Sequence, residues 1–190
     1  DAVVVGAGPN GLVAALTLAR AGWKVVVIEA NDRPGGGTRS AELTLPGFVH
    51  DVCSAIHPLG IGSPALRELG LEQAGVRWVH PDAPLAHPVR PDHAAILEQS
   101  LDRTVEGLGV DGPGWQRLMG PAVRAGFDLS DSLLAPLTIP PRHPVALGRY
   151  GSVGIRSARS IARWRFEGDD GPALFAGLAA HSMLPLDRAI

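Results

Sequence analysis

Gly6, Gly8 and Gly11 stand at intervals of two and three residues in the stretch Gly6-Ala7-Gly8-Pro9-Asn10-Gly11. That spacing suits the binding of a diphosphate by backbone alone. Gly6 permits a tight turn, Gly8 lets the main chain come close to a pyrophosphate, and Gly11 lets a following helix pack near its strand. Free N–H groups at the start of that helix, with its partial positive charge, supply the attraction for an anion. Pro9 fits the first helical position, where no N–H is needed.

Such a turn works only if neighbouring elements hold it. Ala2-Val3-Val4-Val5 precedes it and is wholly apolar and rich in β-branched residues, which predicts a buried parallel strand. Leu12, Ala15, Leu16 and Ala19 recur at helical spacing after it, and Gly22 predicts the end of that helix near Ala21. Lys24 to Glu29 predicts a second strand. Glu29 at its end is placed to accept hydrogen bonds from ribose hydroxyls and repels an extra 2′-phosphate. Strand, glycine turn, helix, strand and acid in register predict an α/β, Rossmann-like βαβ unit that binds an adenine dinucleotide.

A second glycine segment follows, in Glu29-Ala30-Asn31-Asp32-Arg33-Pro34-Gly35-Gly36-Gly37-Thr38-Arg39-Ser40. Consecutive glycines allow a backbone nest that turns N–H groups toward an anion, and Arg33 or Arg39 can add charge-assisted contacts. This acid-then-Gly-Gly pattern resembles the FAD-dependent superfamily of amine oxidases and phytoene desaturases. The resemblance implies FAD as cofactor, with Gly35, Gly36, Gly37 and Thr38 near its pyrophosphate and ribityl chain. It implies an FAD-binding fold with a largely helical substrate domain inserted into it. Two positions depart from the amine-oxidase pattern: Asn31 and Gly37 stand where that family commonly has Arg. Together with Gly47-Phe48-Val49-His50-Asp51, they favour the phytoene-desaturase-like branch. Within it the resemblance is nearest to the group called pyridine nucleotide-disulphide oxidoreductase domain-containing protein 2, although there is no redox Cys-x-x-Cys pair.

The expected cofactor-binding residues are therefore Gly6, Gly8, Pro9, Asn10, Gly11, Glu29, Ala30, Arg33, Gly35, Gly36, Gly37 and Thr38. His50, Asp51 and His57 have acid–base potential, but no catalytic residue is assigned, because a flavin carries the hard chemistry itself. Cys53, the single cysteine, reads as a small buried apolar residue and excludes an internal disulfide or a cysteine-pair zinc site.

The rest of the chain is punctuated by proline. Val76–Val79, Leu85–Pro88 and Ala94–Leu97 read as strands, the last two flanking a turn. Ser63, with Pro64 and Gly70, brackets a short helix, and Ser100 caps another. Helices are expected from Asp111 or Gly112 to about Phe127, from Ser130 to Leu137, over 153–165, and from Asp170 to Met183, with Pro140–Pro144 a linker. The expected division is 1–98, the FAD-binding part with a small β layer, and 99–190, part of a helical substrate or lid domain.

With 45% apolar and 19% charged residues and a net charge of −2, the 190-residue chain has material for a core and no basic excess for nucleic acid. Both ends read as those of a piece of a longer protein. The resemblance implies hydride transfer from a C–C or C–N bond of a lipophilic substrate, with a quinone or oxygen as final acceptor. A flavin-dependent isomerase, an NAD-dependent dehydrogenase and a non-catalytic scaffold remain alternatives. The expected location is cytoplasmic. Arg156, Arg159, Arg163 and Arg165 read as a solvated helix face, with peripheral membrane association through them as the alternative; homodimerisation stays open.

Overall fold

The computed structural model describes residues 1–189. The chain packs as two compact units, Asp1–Val76 and the part from Arg77 onward.

In the first unit, β1 (Ala2–Val5) and β2 (Val25–Ile28) pair in parallel with Ala2 opposite Val25 and Val5 opposite Ile28. Helix α1 (Pro9–Arg20) connects them. The βαβ unit is the one its residue pattern predicts, but β1 is not buried on both faces. Its exposure alternates, with Val3 62% and Val5 82% exposed. Two strands with one helix cover a single face, and the period of two sends every second side chain to the other.

A single 3₁₀ turn (Gly36–Thr38) leads to β3 (Ser40–Glu42), which pairs antiparallel with β4 (Val49–Asp51). Two short helices follow, α2 (Pro58–Gly62) and α3 (Pro64–Leu69). Ser63 caps α3 as expected, its hydroxyl accepting the Leu66 N–H at 3.4 Å. Arg20, at the end of α1, donates to the carbonyls of Glu68 and Leu69 at 2.8 and 2.9 Å. It thereby satisfies carbonyls that the end of α3 leaves open.

Val76–Val79 is not a strand. The Val76 N–H is spent on the Leu71 carbonyl at 3.0 Å, within a run of tight turns after α3, and among the described residues no strand pairs with this stretch.

The second unit begins with the antiparallel pair β5 (Leu85–Arg90) and β6 (His93–Leu97). Its helices are α4 (Leu101–Gly107), α5 (Gly112–Ala125), α6 (Phe127–Leu134), α7 (Pro144–Gly154), α8 (Ala158–Arg165) and α9 (Asp170–Ala180). The β5–β6 pair packs on α4 and α9, so residues 77–98 share their contacts with the helices that follow. The core gathers Ala95, Leu108, Trp115, Phe166 and Leu174. Trp115 is 1% and Leu174 0% exposed, and the Trp115 and Phe166 rings lie 6.1 Å apart.

Several helix boundaries differ from expectation, among them that of α9, which ends at Ala180 rather than Met183. Gly126 adopts a conformation (φ 50°, ψ −123°) that ends α5, so α6 starts at Phe127 rather than Ser130. It stops at Leu134 because Ala135 precedes Pro136 and is extended. The residues read as a linker end at Pro144, which opens α7, and the helix expected over 153–165 is divided. The division falls at Ser157, which is extended and whose hydroxyl accepts the Ser160 N–H at 3.2 Å to start α8. Among the described residues no helix is long and apolar enough to cross a membrane.

Ser100 caps α4 through the Arg103 N–H at 3.3 Å. Replacing it should cost about 1 kcal/mol, so the urea midpoint of Ser100→Ala should fall measurably with an unchanged slope.

Candidate dinucleotide site

The glycine turn is fixed from both strands. The Gly6 N–H donates to the Ile28 carbonyl at 2.7 Å, and Gly6 takes a φ of +96°, which side chains other than glycine rarely tolerate. The first bond within α1 runs from the Leu12 N–H to the Gly8 carbonyl at 2.9 Å. The Asn10 and Gly11 N–H groups lie ahead of it, at the positive end of the helix dipole. No acidic side chain stands in the first turn of α1 to oppose an anion there.

The approach of α1 to β1 leaves no room for a side chain at Gly11. A Cβ there would lie 2.0 Å from the Gly6 carbonyl oxygen.

The second glycine segment comes back onto the first. The Gly35 N–H donates to the Ala7 carbonyl at 2.7 Å. A Cβ on Gly36 would sit 3.0 Å from Gly8 Cα, whereas one on Gly8 would meet Gly36 Cα at 3.9 Å. The Thr38 hydroxyl donates to the Gly35 carbonyl at 2.7 Å and closes the 3₁₀ turn. The Ser54 N–H reaches the Gly37 carbonyl at 2.9 Å, tying the segment to the chain beyond β4. Gly6, Gly8, Pro9 and Gly11 are thus brought together with Gly35 and Gly36. Ala30 and Arg33 are exposed on the connecting loop.

Glu29 is held firmly. Its Oε2 accepts the Ala7 N–H at 2.7 Å, and its Oε1 accepts the backbone N–H and the side-chain amide of Asn31 at 2.9 and 2.7 Å. The Asn31 backbone, then the Ala7 backbone and the Asn31 amide, hold the carboxyl at about 2 against its ordinary 4.5. The folded state therefore favours the charged form. Its contribution is complete above pH 4.5 and is lost as pH falls from there through about 2. The amide resonances of Ala7 and Asn31 should move together in that window, and Glu29→Gln should abolish the movement.

Ala7 and Asn31 are the residues that sequence reading passes over. Ala7 occupies the variable position between two glycines, and Asn31 registers only as a departure from a family pattern.

The histidine and acid group near Asp51 does not converge. His50 pairs with the Thr44 hydroxyl at 2.8 Å, Asp51 accepts from Ser40 at 2.9 Å, and His57 faces Ser54 at 3.4 Å. Each is engaged by a separate hydroxyl, as alternation along β4 requires for His50 and Asp51. Cys53 is exposed rather than buried, on the irregular stretch that follows β4.

A family profile described as "NAD(P)-binding Rossmann-like domain" matches residues 4–69. Residues 4–69 carry a Rossmann-like fold. The chain is 33% identical to one component of the limonene dehydrogenase of Castellaniella defragrans over 57% of this chain and 19% of that protein. It is 28% identical to a probable electron transfer flavoprotein-quinone oxidoreductase of Escherichia coli K12 over 97% of this chain and 50% of that one. A solved structure of a redesigned putrescine oxidase aligns with a TM-score of 0.54 at 21% identity, covering 95% of this chain and 36% of the other. The Rossmann-like domain is related to the amine-oxidase and phytoene-desaturase superfamily. The matched regions span half or less of these relatives.

Proposed function

We propose that the first unit holds the adenosine-diphosphate half of FAD, as part of a phytoene-desaturase-like oxidoreductase acting on a lipophilic substrate. The observation that carries this reading is the meeting of the two glycine segments, where Gly36 lies against Gly8 and the Gly35 N–H bonds to Ala7. The cradle is of a kind that a Cβ would fill, which fits a diphosphate held by backbone.

In this reading the Asn10 and Gly11 N–H groups bind the pyrophosphate, and Glu29 orients the ribose. The exposed Asn31 amide is the partner of Glu29 that a ribose hydroxyl replaces, while the Ala7 N–H keeps the carboxylate in place. Arg33 and Thr38 flank the phosphates and the ribityl chain. When bound, FAD supplies a two-electron acceptor for a hydride leaving a C–C or C–N bond. The relative from Escherichia coli, named as a quinone oxidoreductase, supports a quinone as final acceptor. The relative named for limonene, a hydrocarbon, supports an apolar substrate. A cytoplasmic location accompanies the reading.

An NAD-dependent dehydrogenase is the second reading, favoured by the description of the matching family profile. Parallel calorimetric titrations with FAD, ADP and NAD separate the two. The proposal expects FAD and ADP to bind with similar affinity and NAD more weakly. Preferred binding of NAD establishes the second reading, and failure to bind all three overturns both.

A further inference from the structure

The second unit holds a half-open cavity of about 1120 Å³ that no residue of the dinucleotide site lines. It lies among α5, α6, α7, α8 and α9. Pockets for small molecules are commonly about 300–1,000 Å³ and mostly apolar with a few polar groups, so this one is large enough for a long-chain ligand. Leu118, Met119, Ile161, Phe175 and Leu178 give it apolar walls.

Its charge is one-sided. Arg117, Arg124, Arg142, Arg149, Arg156 and Arg165 all line it. Among the described residues that line it, Asp128 is the sole acid, and its carboxylate stands 3.6 Å from His143 Nδ1. The chain as a whole has 17 basic and 19 acidic residues, so composition does not account for this clustering. Among the described residues, Arg117, Arg124, Arg142 and Arg149 form no ion pair with a carboxylate.

Arg165 is also fixed in position. Its guanidinium lies 3.7 Å from the centre of the Trp164 ring, with Arg156 at 5.1 Å from that same ring. Its Nε is shielded and has no hydrogen-bond partner among the described residues. Stacking of this kind leaves the edge of a guanidinium free for two parallel bonds to a carboxylate.

We propose that this cavity is a binding site for a long-chain carboxylate, with the chain against Leu118, Met119, Ile161 and Phe175 and the head among the arginines. Apolar walls alone fit any hydrocarbon. The arginines without a carboxylate partner favour an amphiphile with an anionic head, because that head gains charge-assisted bonds from them and a neutral one does not. The site lies wholly within the second unit and does not depend on the cofactor reading of the first.

The test is a titration of the chain, without added FAD, with sodium oleate below its micelle concentration, with oleyl alcohol and with acetate. Saturable one-to-one binding of oleate, at least about tenfold tighter than oleyl alcohol, is expected from one or more charge-assisted bonds. Acetate should not bind measurably. Arg165→Gln disturbs a shielded group and can unfold the unit, so the decisive variant is the doubly substituted Arg124→Gln/Arg149→Gln, both at exposed positions. With its helical circular dichroism unchanged, it should lose about tenfold in oleate affinity and nothing toward oleyl alcohol. Equal affinities for oleate and oleyl alcohol, no saturable oleate binding, or an unaffected double variant would each overturn the proposal. Capture by phosphatidylglycerol vesicles without binding of monomeric oleate would overturn it in favour of a membrane surface. FAD binding, measured separately, reports on the other unit.

Discussion

Gly11→Ala should lose most of its affinity for ADP and unfold more easily than the parent chain. On helix propensity alone the substitution should stabilise α1 by up to about 1 kcal/mol. Packing decides against that. The new Cβ would lie 2.0 Å from the Gly6 carbonyl oxygen, 3.1 Å from the Gly6 carbonyl carbon and 3.5 Å from a Val4 methyl. The nearest two are backbone atoms and cannot rotate away, so α1 must move off β1. Overpacking of this kind costs about 1–3 kcal/mol. A shift of about 1 Å in positioned groups can cost about a hundredfold in function. Gly8→Ala separates the two effects, because its Cβ would meet nothing closer than Gly36 Cα at 3.9 Å. It should keep the stability of the parent and still lose ADP binding, since on the proposed reading the methyl occupies the space between the two glycine segments that the phosphates need. Calorimetric titration and urea unfolding of both variants check this. Undiminished ADP binding by Gly11→Ala would remove the diphosphate seat from consideration.

Asp111→Ala should be the most destabilising single change in the second unit. Asp111 is 1% exposed. Its Oδ1 accepts the N–H groups of Glu167 and Gly168, and its Oδ2 accepts that of Gly171, all at 2.8 Å. One carboxylate thereby organises the bend that joins α8 to α9. A fully buried donor left without a partner costs about 1–3 kcal/mol; the Gly171 N–H is buried and those of Glu167 and Gly168 are partly buried and cost less, so the total is roughly 3–5 kcal/mol, a large part of a typical domain's 5–15 kcal/mol. Asp111→Asn should do little better, because one face of its amide presents N–H groups to backbone N–H groups. Thermal and urea unfolding provide the measurement. A loss below about 1 kcal/mol for Asp111→Ala would mean that the bend is held by other contacts.

The parts of the fold that local chemistry dictates were legible in the sequence. Glycine spacing with flanking apolar runs located β1, α1 and β2, and the serine caps located the starts of α3 and α4. Long-range satisfaction was not legible. Nothing near Asp111 in sequence distinguishes it from a surface acid, because its donors lie more than fifty positions away. Val76–Val79 has the composition of a strand, yet a strand needs a partner, and composition is silent on partners. At the dinucleotide site the glycines were visible because backbone conformation restricts them. The clamp of Ala7 and Asn31 on Glu29 was not, since an alanine N–H leaves no trace in residue type.

Among the described residues of the first unit, Ala7 and Ala15 are the buried apolar side chains. Methyl groups of that size contribute little burial free energy, so hydrogen bonds converging on the glycine turns order this unit together with the half-buried Val4, Leu12, Val13 and Val25. Mass action then gives an occupant unusual weight. Free ligand at a hundred times its Kd adds about 2.7 kcal/mol to whatever folded unit binds it. Amide hydrogens from Gly6 to Leu12 and from Glu29 to Thr38 should exchange more slowly in step with the logarithm of nucleotide concentration. The rigidity of this stretch of backbone would then serve as a gauge of how much nucleotide surrounds it.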